Sequence, residues 1–169
     1  KNTSGEIDSV LGITTSAYLR NLEINYTLLK KMRPIFASER SKGVKYKLND
    51  NFLQFWFRFI YPNLDLVENH RSDLLLDIKK GYDVYSGLVL ERYFQQKLWE
   101  EERFTIIGNW WDSKGENEID IVAVNRIDRT ARIAEVKINR NKISMPVLKE
   151  KSQKLIGELK RYQIEYTGY

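Results

Sequence analysis

EIDIVAVNRIDRTARIAEVK, residues 118–137, sets two apolar runs around a polar turn, and each run carries acid. Successive strand side chains alternate between faces, and antiparallel partners stand opposite one another. A hairpin turning between Ile127 and Asp128 puts Asp120 opposite Glu135, Val122 opposite Ile133 and Val124 opposite Ala131. Its other face carries Ile119, Ile121, Ala123, Ala134 and Val136, so both faces are apolar, as in strands covered on each side in an α/β layer. Opposed residues have Cβ atoms about 5 Å apart, and like charges there repel. Asp120 and Glu135 therefore need a cation. Lys137 shares the face of Glu135 and supplies one charge. A divalent ion between the carboxylates would supply the rest, and oxygen ligands suit magnesium or manganese. The plainer alternative is an edge salt bridge between Glu135 and Lys137, with Asp120 capping the strand.

Upstream of the hairpin, SGLVLERYFQQKLWEEE starts a helix at Ser86 whose inner stripe is Leu88, Val89, Tyr93, Phe94 and Leu98. Glu91 sits amid that stripe, either turned outward or aimed at a polar centre. FTIIGNWWDSKGE then reads as a strand, a Trp pair and a turn. Downstream, Pro146 opens a basic helix running to about Lys160, and YQIEYTG is a last strand. The order helix, strand, strand, strand, helix, strand describes a layered α/β core.

The amino-terminal part reads differently. Two helices meet at Gly12, with N-cap chemistry from Thr14 to Ser16, in the spacing of a helix-turn-helix. Ile7, Val10 and Leu11 on the first helix, and Tyr18, Leu19, Leu22 and Ile24 on the second, are the residues expected to pack. Residues 35–48, IFASERSKGVKYKL, read as a wing of two strands around a Ser/Lys/Gly tip. Seven basic residues and the single acid Glu39 fall between Lys30 and Lys47, as a phosphate-contacting wing needs. Arg20, Lys30, Lys31, Arg40, Lys42 and Lys45 are the candidate nucleic-acid contacts in this half. A winged helix that only packs against other domains is the alternative. The six aromatics between Phe52 and Tyr61 read as a buried helix, with stacking on single-stranded nucleic acid as the sharper alternative. The expected division is a winged-helix domain with its aromatic helix over 1–62, a polar connector over 63–85, and an α/β domain over 86–169.

Charge is distributed unevenly. Residues 1–50 carry nine basic and five acidic side chains, residues 51–127 nine and thirteen, and residues 128–169 ten and five, for a net +5 over 169 residues. Basic ends around an acidic middle point to an anionic partner, with DNA first; a solvated charged surface is the bland alternative. Cysteine is absent, which excludes disulfides, thiolate metal sites and a cysteine nucleophile, and fits the cytoplasm. No apolar run approaches the roughly 20 residues a bilayer requires, so no membrane partner is expected. His70 is the sole histidine, which argues against a His-based metal site or triad. The start at Lys1, with a helix-turn-helix almost at once, reads as a piece of something longer. No interface signature fixes an oligomeric state.

A helical glutamate (Glu91), an aspartate on the second strand (Asp120) and Glu-x-Lys on the third (Glu135, Lys137) resemble the PD-(D/E)XK nuclease superfamily. More narrowly, YKLNDNFLQFWFRFIYPN, IGNWWD, NEIDIVAVN and AEVKI together resemble the C-terminal region of archaeal-type P-loop ATPases of archaea and bacteria. That resemblance covers nearly the whole chain and implies an α+β protein: a winged helix-turn-helix followed by a restriction-endonuclease-like α/β/α sandwich with a mixed sheet. It also implies an ATPase module upstream, so that ATP would act only through that module. Asp120 and Glu135 would bind Mg2+ or Mn2+, Lys137 would orient water or stabilise the phosphorane, and Glu91 would complete the shell. The basic tail, with Arg140, Lys142, Lys149, Lys151 and Lys154, would hold the phosphodiester backbone. One departure is that Asn117-Glu118-Ile119-Asp120 stands where the motif's name has Pro-Asp. No P-loop Gly-Lys-Ser/Thr occurs, so ATP hydrolysis is not expected of this chain itself. A non-catalytic DNA-binding or protein-interaction domain on the same fold is the second expectation.

Overall fold

A computed structural model describes residues 2–38, 41 and 44–169, which divide into two compact units. The first comprises residues 1–33 and 41–85, the second residues 34–40 and 86–169. Among the described residues no helix is long and apolar enough to cross a membrane.

In the first unit, α1 (Ser4–Leu11) opens with a capping box between Thr3 and Glu6 and closes on Gly12, whose φ of 67° is the left-handed conformation that glycine adopts freely. Helix α2 (Ser16–Ile24) follows. Thr15 does not cap its own helix, because its hydroxyl and N–H both donate to Asp8 Oδ1 on α1 and so lock the turn. Packing is narrower than the sequence implies. Leu19 is buried, but Val10, Leu11, Tyr18 and Ile24 are exposed. Each residue steps about 100° round a helix, so two-turn helices bury only a thin stripe. β1 (Leu29–Met32) and β2 (Lys45–Leu48) form an antiparallel ribbon in which Lys30 faces Lys47 and Met32 faces Lys45.

The first strand of this ribbon lies earlier than the strand expected over residues 35–48. Pro34 has no N–H to offer a ladder. Ile35 instead donates its N–H to Asn109 O at 2.8 Å and buries its side chain in the second unit's core. Lys42 and Gly43 of the expected tip, with Glu39 and Arg40 before it, lie outside the described residues.

Asp50 caps α3 (Asn51–Phe55), accepting from Leu53 N at 2.7 Å. A π-helical turn (Trp56–Ile60), a 3-10 turn (Tyr61–Asn63) and α4 (Leu64–Glu68) continue the chain. The expected buried aromatic helix is only half realised. Phe59 is buried against Phe55 and Tyr85, while Phe52, Phe57 and Tyr61 are exposed. Residues 63–85, read as a connector, are mostly helical, because α5 runs from Asp73 to Glu100 without a proline to stop it.

In the second unit the C-terminal part of α5 precedes β3 (Ile106–Trp111), β4 (Glu118–Asn125) and β5 (Thr130–Glu135). A 3-10 turn (Arg140–Lys142), α6 (Met145–Lys151), α7 (Gln153–Ile156) and β6 (Gln163–Gly168) complete it. The sheet has the order β3-β4-β5-β6, antiparallel except for the parallel pair β5/β6. The fold is thus mixed α+β around a mixed four-stranded sheet. Val122 pairs with Ile133 and Val124 with Ala131, the register expected from the turn. Asn125 shapes that turn by accepting from the N–H groups of Ile127 and Asp128. Leu148, Leu155 and Leu159 cover one face, and Leu98 with Leu90 and Phe94 of α5 covers the other. Tyr93, expected inward, is exposed: the realised stripe is Leu90, Phe94 and Leu98, spaced by four.

A β-bulge alters one face assignment. Gly108 pairs with Val122 and Trp110 with Ile119, so Asp120 and Ile121 together oppose Asn109. The extra residue reverses the alternation beyond it. Ile119 consequently packs with Val122 and Val124, not with Ile121 and Ala123 as strict alternation would have it.

Candidate active site

The apolar register of β4 and β5 carries two acids to one end of the sheet. Asp120 sits in the bulge, and its Oδ2 accepts from Val136 N at 2.8 Å. Glu135 ends β5 almost wholly buried. Lys137 Nζ lies 2.7 Å from Glu135 Oε1 and 3.8 Å from Asp120 Oδ2. Lys151 Nζ, from α6, stands 3.5 Å from the same Glu135 oxygen. The other carboxylate oxygen, Glu135 Oε2, is buried with no hydrogen-bond partner among the described residues. Such an atom costs desolvation without return. It is also the donor a hard cation would take, and the oxygen donors here fit magnesium or manganese.

Burial lifts the Asp120 carboxyl above its ordinary range and Glu135 adds to the shift, against the bond from Val136 and the charges of Lys137 and Lys151. Burial alone would lower the Lys137 ammonium, but the bond to Glu135 and the fields of Asp120, Glu135 and Glu91 raise it on balance. Glu91 is half-buried on α5, and its charge is the smallest of the influences that raise the Lys137 ammonium. Asp120, Glu135 and Lys137 are thus neighbours, and the edge salt bridge between Glu135 and Lys137 coexists with a second carboxylate. Lys137 is 41% exposed but Glu135 only 10%, so the net worth of the pair is small, although loss of the lysine would strip a buried carboxylate of a partner. Fold stability is a weak reason for the cluster.

Sequence reading missed two members. Asn109 Nδ2 donates to the Asp120 carbonyl at 2.6 Å, and Gln95 Nε2 donates to the same carbonyl at 3.3 Å and to Asn109 Oδ1 at 3.2 Å. The available signal was Asn109, a polar residue inside the apolar run IIGNWW, and Gln95, one turn beyond Glu91. A separate buried acid, Asp112, organises the turn after β3. It accepts from Lys154 Nζ at 2.7 Å, Asn117 Nδ2 at 2.9 Å and Glu116 N at 2.9 Å. Lys154 is thereby engaged with the turn.

The remaining basic candidates are dispersed. Arg140 donates to Gly168 O at 3.2 Å, while Lys142 and Lys149 are exposed. In the first unit, Arg20 is exposed on α2, Lys30 is exposed on β1, Lys45 is half-buried on β2, and Lys31 is 2.7 Å from Glu23. Arg40 and Lys42 lie outside the described residues.

A family model described as archaeal and bacterial proteins of unknown function, DUF234, matches residues 56–160. The chain belongs to the DUF234 family. The DUF234 match takes in Glu91, Gln95, Asn109, Asp120, Glu135, Lys137 and Lys151, and leaves out the ribbon and both short helices before it. An uncharacterized protein of Methanocaldococcus jannaschii is 38% identical over 80% of this chain and 32% of its own length. The chain therefore spans about a third of the curated relative it matches. No solved structure matches it.

Proposed function

We propose that this DUF234 chain carries a PD-(D/E)XK nuclease-like domain, a metal-dependent hydrolase of phosphodiester bonds, with a winged helix that holds DNA. The observation that carries this reading is the buried, unpartnered Glu135 Oε2 beside Asp120 and Lys137. Magnesium or manganese bound by Asp120 and Glu135 would supply Lewis acidity toward water and phosphate. Lys137 has N–H groups to hold the attacking water and to stabilise charge growing on the phosphate. Glu91 balances that ammonium from α5, and Lys151 presents a second cation at the same carboxylate. In the whole protein, which we expect to be cytoplasmic, the resemblance noted above adds an upstream P-loop ATPase that would supply ATP-driven work.

A second reading has its own support. Two lysines already lie against Glu135, as in a site neutralised for good. A non-catalytic DNA-binding or regulatory domain would keep such a cluster as structure.

Calorimetric titration with magnesium and manganese, on wild type and Asp120→Asn, separates the two, followed by incubation with labelled single-stranded, double-stranded and branched DNA. Metal binding and metal-dependent cleavage, both lost in the variant, are expected. Cleavage undiminished by Asp120→Asn, or no divalent binding at all, would sink the nuclease reading.

A further inference from the structure

A bulge withdraws one residue from the regular ladder, and in β4 that residue presents the Asp120 carboxylate. Two side-chain amides meet on the Asp120 carbonyl: Asn109 Nδ2 at 2.6 Å and Gln95 Nε2 at 3.3 Å, the latter also 3.2 Å from Asn109 Oδ1. Asn109 is the single residue opposite the bulge and is 7% exposed. Gln95 lies one turn from Glu91 on α5, half-buried beside the stripe of Leu90, Phe94 and Leu98.

We propose that Asn109 and Gln95 are positioning residues for Asp120, clamping the bulged peptide so that its carboxylate stays on Val136 N–H beside Glu135 and Lys137. The consequence for catalysis rests on the nuclease reading; the clamp itself does not.

Four features support it. Without a fixed carbonyl, the peptide of an irregular residue can rotate and carry its side chain away from the cluster. Amides are donors that do not titrate, so the clamp holds at every pH at which the fold persists. Gln95 also ties α5 to β4, two elements joined by no backbone ladder. A core chosen for packing alone would place an apolar side chain at Asn109, in an otherwise apolar strand between Gly108 and Trp110.

Amide hydrogen exchange tests the clamp directly, because Val136 N–H is bonded to the Asp120 carboxylate whereas Ile133 and Val124 lie within the regular part of the sheet. Asn109→Ala is expected to speed exchange at Val136 about tenfold relative to Ile133 and Val124. Gln95→Ala, on a half-exposed helix face, is expected to do so to a smaller extent, and decides the matter if the Asn109 variant fails to fold. Equal acceleration at all three amides, or none at Val136, would overturn the proposal and leave the amides as ordinary packing. Manganese titration of the same proteins adds the second arm, with affinity about tenfold weaker in Asn109→Ala. A wild type that binds no manganese would remove the nuclease reading, while the Val136 readout would still judge the clamp.

Discussion

Lys137 holds Glu135 at 2.7 Å, although both side chains stand at the end of a sheet whose core is otherwise apolar. The pair is half-buried, Lys137 at 41% and Glu135 at 10% exposure, so its net contribution to stability is small, while removing the ammonium leaves Glu135 to Lys151. On the nuclease reading, Lys137→Met should lower cleavage about a hundredfold or more, with a destabilisation that Lys151, still 3.5 Å from Glu135, limits. Lys151→Met should chiefly raise KM. Cleavage insensitive to Lys137→Met, measured on protein shown to be folded by circular dichroism, would remove Lys137 from the chemistry.

Asp112 gives the clearest pH dependence. The bond from Lys154, then that from Asn117, holds its carboxyl well below the usual carboxylate range. A depressed folded pKa stabilises the fold above the unfolded pKa, near about 4, and that contribution is lost as pH falls through the folded value. Wild type should thus lose urea resistance from about pH 4 downward. Asp112→Asn should be weaker at pH 7 and converge on wild type in acid. Parallel curves at all pH values would show that Asp112 contributes nothing.

Gly168 faces Glu135 across the parallel pair β5/β6. A Cβ there would stand 2.8 Å from Ile143 Cδ1 and 2.9 Å from its Cγ2, closer than van der Waals contact permits. Gly168→Ala should cost about 1–3 kcal/mol by overpacking. A variant as stable as wild type in urea would mean that the Ile143 side chain yields without strain.

Ile133 is fully buried between Val122 of β4 and the α6–α7 layer. Ile133→Ala should destabilise by about 2–5 kcal/mol. Chemical denaturation gives the value, and a loss below about 1 kcal/mol would indicate that the layer collapses onto the gap.

What the sequence alone determined were the features with local causes. Alternation of period two and the polar turn around Asn125 set the β4/β5 register from Ile121 to Asn125. Gly12 marked the turn between the first two helices for the same reason, since only glycine adopts its positive φ without strain. The tertiary structure decided whatever depended on a distant partner. The bulge at Asp120 exists only against Asn109 of β3, and the clamp draws Gln95 from 25 residues away. Ile35 left the expected wing because the apolar surface that buries it is built by β3 and the strands beyond, far along the chain. Periodicity records which face of an element is apolar; which neighbour covers that face, and where a strand must slip by one residue to meet it, follows only from packing the whole chain.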